Sequence, residues 1–237
     1  MKNFTVVILL FLFILPVFSE EELPDIKQAD EYYSQGKIKE AEEIYNPLCQ
    51  KDPKNYDAQM GHFRCALIMN HLGCAFRYSK NASELKPAER EPKEILAAVY
   101  YRTGKFDKAA ELFKELGKES LSKKLASFQG TEPYKPASEK KETTIKLESI
   151  ESYPIIKVTV NGKHEGRFIL DTGVSETVIE KSFSKKIKAE TYGTDKDILF
   201  NEKDISFEHG KIKSLKIGEI TLEEIPVYVM DFNQLPL

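Results

Sequence analysis

Cysteine is scarce: Cys49, Cys65 and Cys74 are the three in 237 residues. An odd set without paired spacing excludes a disulfide-stapled scaffold and a zinc-finger pattern. Buried helix-packing thiols are expected, and Cys65 and Cys74, which flank the middle turn, could form a bridge after export. Histidine is equally sparse. His62, His71, His164 and His209 show no HExxH or comparable ligand spacing, so neither a metal nor another cofactor is expected. Charge of one sign is not in excess either. A net charge of -3, with Lys and Arg scattered among Asp and Glu, gives no basic stripe for a phosphate backbone and speaks against nucleic acid as a partner.

Long apolar runs are absent except at the N-terminus, where Phe4 to Leu15 follows Lys2 and precedes Pro16, Val17, Ser19 and a run of acids. That is the layout of a cleavable secretory signal over 1–19, and the run is shorter than the ~20 residues a membrane span needs. The mature chain is expected to be exported in soluble form, to a periplasm or the medium. With 41% hydrophobic residues it can build two modest cores.

Residues 25–121 repeat with a period of 34. Small residues recur at Ala41, Ala75 and Ala109, larger apolar ones at Ile38, Leu72 and Phe106, and turn formers at Gly36, Asn70 and Gly104. Tyr32, Ala66 and Tyr100, with Ala29, Phe63 and Ala97, fill the preceding helix. Small residues let paired helices approach, the Gly or Asn turns the chain, and Pro53 and Pro87 stop the second helix. In "YYSQGKIKEAEEIYNPLCQKDPKN" and "VYYRTGKFDKAAELFKEL" the pattern resembles the tetratricopeptide repeat, in three copies. The resemblance implies an α-helical solenoid whose groove takes a protein or peptide ligand.

The Pro-, Ser- and charge-rich text over 122–145 reads as a linker. Over 146–237 the pattern turns to β. Alternating apolar residues flank Asn161-Gly162, a strong hairpin signal, and alternate again around Gly218-Glu219. These features suit a small β-barrel, making the whole a multidomain α plus β chain.

Between the two hairpins stands "RFILDTGVSETVI". Asp171 follows an apolar strand, where a carboxylate can be presented on a tight loop. Gly173 lets a backbone N–H reach that carboxylate, and Thr172 and Ser175 are hydroxyls of the kind that fix such loops. With "VTVNGKHEG" before it and "KIKSLKIGEITLEEIPVYVMD" after it, the segment resembles the retropepsin-like aspartyl proteases. The resemblance implies that Asp171 is the catalytic aspartate, that Thr172, Gly173 and Ser175 form its loop, that 191–210 occupies the place of the covering flap, and that polypeptides are the substrate. Val174 departs from the family's usual Ala or Ser. The chain ends at Leu237, short of the apolar pair, Gly and helix that back the loop in the family, so the expectation is either a C-terminally shortened or decayed member or one whose missing support comes from elsewhere.

No second Asp-Thr-Gly occurs, so a carboxylate pair requires a homodimer. Asp195, Asp204 and Asp231 lack the following Thr or Ser and Gly, and are expected as surface charges. Two functions stand side by side: an exported aspartic endopeptidase whose repeats recruit a partner or substrate, and a non-catalytic binding module carrying an inactive protease remnant.

Overall fold

A computed structural model describes residues 25–150, 153–198 and 204–234. The export signal expected over 1–19 lies outside them. No helix among the described residues is long and apolar enough to cross a membrane.

The helical part comprises α1 (Ile26–Ser34), α2 (Ile38–Lys51), α3 (Tyr56–Ile68), α4 (Leu72–Leu85), α5 (Arg90–Arg102), α6 (Phe106–Glu115) and α7 (Glu119–Ala126). The second helix of each pair starts at one of the three aligned apolar positions: Ile38, Leu72 and Phe106. Gly36, Asn70 and Gly104 all adopt left-handed backbone, with φ of +74°, +58° and +71°. The amide of the next residue then closes back on the first helix, Lys37 to Tyr32, His71 to Ala66 and Lys105 to Tyr100, at 2.9, 2.8 and 2.9 Å. This reversal satisfies carbonyls that a helix end would leave unpaired. Ala29, Ala41, Ala75, Ala97 and Ala109 are fully buried, as close helix packing requires.

The helical unit continues past the boundary expected at Leu121. Gly117 repeats the left-handed turn with φ +78°, Lys118 N–H closes on the Phe113 carbonyl, and α7 follows. Leu125 and Phe128 bury themselves in one cluster with Phe106 and Phe113, so apolar packing carries the stack into the segment read as linker.

The sheet domain comprises β1 (Lys135–Pro136), β2 (Glu148–Ile150), β3 (Tyr153–Val160), β4 (His164–Ile169), β5 (Thr177–Glu180), α8 (Lys181–Ile187), β6 (Glu190–Ile198), β7 (Asp204–Ile217) and β8 (Ile220–Met230). β1 also falls within the expected linker and pairs with β8. The hairpin between β3 and β4 turns at Asn161 and Gly162, both left-handed, and that between β7 and β8 turns at Gly218. β4, β3, β7 and β8 pair in that order, with β6 on β7 and β5 parallel to β8. Ile156, Val158 and Val160, alternate residues of β3, meet Ile179, Ile212, Ile225, Val227 and Val229 in one core. The segment 170–176 thus runs between β4 and β5.

The helical unit docks on the sheet: α7 contacts β6 and β7. Gly193, at a register shift in β6 with φ +132°, lies so close to α7 that a Cβ there would sit 2.5 Å from Ser120 Oγ. Lys211 of β7 donates to the Ser127 carbonyl at 3.2 Å.

Candidate active site

The loop carrying Asp171 is pinned at both ends. Leu170 N–H bonds the Pro154 carbonyl at 2.9 Å, and Thr177 enters the sheet opposite Val227. Within it Gly173 N–H donates to Asp171 Oδ1 at 2.7 Å. A side chain at Gly173 would crowd that oxygen, with Cβ only 3.2 Å away. Asp171, Thr172, Gly173 and Ser175 are brought together on this loop, and all four are exposed. Ile169, Leu170 and Val174 beside them are 52%, 46% and 50% exposed, an unusual display for large apolar side chains. The hairpin of β6 and β7 stands at the expected flap position in the sequence, and its 199–203 segment lies outside the described residues.

Glu176 was not singled out from the sequence, yet it is the best-anchored residue of this segment. Its carboxylate accepts from Lys124 Nζ of α7 at 2.8 Å (Oε1) and 2.7 Å (Oε2), and from the Tyr101 hydroxyl of α5. The Lys124 and Glu176 side chains are both fully buried. The Lys124 ammonium also lies 4.4 Å from the centre of the Tyr228 ring on β8. Burial pushes Glu176 up to about 8 and Lys124 down to about 7, each toward its neutral form. At 2.7 Å mutual attraction opposes both shifts, and the pair has no net charge whichever partner holds the proton. A sequence signal existed: Leu121, Lys124, Leu125 and Phe128 share helical spacing, which sets a lysine in an apolar stripe.

The remaining sequence candidates fall elsewhere. Asp195 is not simply a surface charge, because its Oδ2 lies 2.8 Å from Nε2 of the buried His209, itself set among Phe207 and Tyr228. Asp231 accepts from Asn233 at the start of a short 3-10 turn. His62 is buried, 3.3 Å from Glu42, with its ring centre 4.0 Å from that of Tyr78 in a tilted arrangement. The three thiols are free. Burial pushes Cys49 and Cys65 up to about 12, which suppresses the reactive thiolate.

Comparison with known proteins follows this division. Residues 156–236 match the family described as aspartyl protease, and residues 96–116 match the tetratricopeptide repeat. Over 84 residues the chain is 37% identical to cellulose synthase operon protein C of Pseudomonas fluorescens (strain SBW25), covering 35% of this chain and 7% of that protein. The chain therefore spans a small fraction of that relative. Among solved structures, the Yersinia enterocolitica type III secretion translocator chaperone SycD is 17% identical, with TM-score 0.37 over 44% of this chain and 68% of its own. The tetratricopeptide-repeat protein YrrB is 12% identical, with TM-score 0.41 over 44% of this chain and 58% of its own. The chain carries a tetratricopeptide repeat at residues 96–116 and, over residues 156–236, a domain that matches the aspartyl protease family.

Proposed function

We propose that the protein is an exported aspartic endopeptidase that works as a homodimer, with the repeat unit recruiting a protein partner or substrate. The observation that carries this reading is the Asp171 carboxylate, held by Gly173 N–H yet left exposed, with the exposed apolar residues Ile169, Leu170 and Val174 on the same stretch of chain. A lone exposed carboxylate is a poor acid–base catalyst. Two of them across a two-fold axis share one proton, because two close carboxylates do not both ionise cheaply. The exposed apolar rim is the surface that such an axis would bury.

In the pair, the ionised carboxylate takes a proton from a water whose oxygen attacks the peptide carbonyl carbon. The protonated one donates to the carbonyl oxygen. The resulting gem-diol collapses as the C–N bond breaks and the amine nitrogen takes up a proton. Asp171→Asn keeps the loop's shape and removes the ionisable group. Cleavage of an unfolded protein should vanish in that variant while its circular dichroism stays that of the wild type; persistent cleavage would remove the aspartic mechanism.

The repeats support the recruiting role because stacked helix pairs present a concave face to an extended chain or helix. Pull-down with the wild type and with a chain lacking 25–85 should recover the partner only with the former; recovery with both would remove the repeats from recruitment.

A further inference from the structure

Glu176 lies five positions beyond Asp171, at the end of the exposed loop, and is the loop's only buried residue. Its carboxylate is held from the helical unit, by Lys124 on α7 and Tyr101 on α5. Those partners are themselves fixed. Tyr101 stacks on Phe106 with centroids 5.1 Å apart, and Phe106 meets Phe128 edge-on at 5.2 Å. α7 is held against the sheet by the close approach of Ser120 to Gly193 and by the bond from Lys211 to Ser127. A buried ion pair is weak evidence for stability, since desolvation offsets its attraction, but it fixes geometry well. Here it fixes the C-terminal end of the loop whose other end carries Asp171.

We propose that Lys124, assisted by Tyr101, is a positioning residue for the Asp171 loop, so that the last helix of the repeat unit is a working part of the peptidase domain. The role in turnover rests on the function proposed above. The positioning itself does not. The loop meets its rigid support across the boundary between the two units, so displacement of α7 relative to the sheet moves Glu176 and with it the loop.

The test uses the full chain and separates stability from positioning. Lys124→Met leaves Glu176 buried without its cation, whereas Lys124→Met with Glu176→Gln removes the stranded charge and leaves the Tyr101 hydroxyl as the remaining tether. In the double variant, thermal stability should return toward wild type. Backbone order parameters over 171–176 should nevertheless fall from about 0.85 toward 0.6 or below. Where wild type cleaves substrate, kcat should fall about 100-fold with KM little changed, as for a displaced catalytic group. Wild-type order and kcat in a stable double variant would overturn the proposal. An inert wild type whose loop still loosens in the variant would count against the peptidase reading and leave the positioning intact. Should both Lys124 variants fail to fold, Tyr101→Phe removes only one donor: lowered order over 171–176 is expected, and unchanged order overturns the proposal.

Discussion

Lys124 Nζ stands 2.7 Å from Glu176 Oε2, and both side chains are completely shielded from water. A helix of the repeat unit and the loop of the candidate catalytic aspartate are thereby joined by a pair of fully buried ionisable groups. Removing one member strands the other. Lys124→Met should therefore cost about 3–5 kcal/mol, and the further change Glu176→Gln should recover most of it. Thermal melts of the three proteins check this; a single variant as stable as wild type would show that the pair is solvated in solution.

Acid should weaken the protein through its histidines. Burial lowers His62 and His209 below the ordinary value of 6.5, with Glu42 and Asp195 respectively opposing the shift. His209 also faces Lys124 and Lys118, which lower it further. With folded-state values depressed, the unfolded chain binds more protons below pH 6.5, so stability falls as pH drops through that range. Denaturant midpoints between neutrality and moderate acid should decline, and His209→Gln should flatten the decline. A flat wild-type profile would contradict the burial of both rings.

Gly61 of α3 lies against the Tyr45 ring of α2. A Cβ there would fall 2.2 Å from the Tyr45 ring, whose hydroxyl donates to Asp30 at 2.5 Å. Gly61→Ala should destabilise the helical unit by about 1–3 kcal/mol despite its better helix propensity. Urea unfolding followed by circular dichroism decides; a more stable variant would mean that Tyr45 moves aside freely.

Gly104 has no such neighbour, so its cost is conformational. At φ +71° an Ala side chain is strained in open space. Gly104→Ala should lose about 1–2 kcal/mol, while Asn70→Gly, at φ +58°, should be neutral or mildly stabilising. Equal effects of the two changes would contradict the turn geometry.

The periodic features were legible in the sequence because helix pairs answer to local rules. Ile38, Leu72 and Phe106 mark helix starts, and Gly36, Asn70 and Gly104 mark left-handed turns, as their spacing implies. Asn161-Gly162 and Asp171 to Gly173 were equally readable, since turn chemistry and a carboxylate-binding amide are short-range. The end of α7 and the short β1 inside the segment 122–145 were not legible, because α7 is held by the packing of Leu125 and Phe128, and β1 by pairing with β8, neither of which is a local signal. Glu176, Gly193 and Gly61 have meaning only through residues on other elements. Charge beside a turn looks like surface until Lys124 and Tyr101 are seen to enclose it.

Dependence on two copies of Asp171 is most directly tested by mixing. Wild type and Asp171→Asn are unfolded together in equal amounts, refolded, and assayed at fixed total chain concentration against unfolded protein substrate. Random pairing leaves about one quarter of dimers with both carboxylates, so activity should fall to about one quarter of that of wild type alone. Activity at one half, in proportion to the wild-type chains present, would show that each chain works by itself and would contradict the shared carboxylate pair.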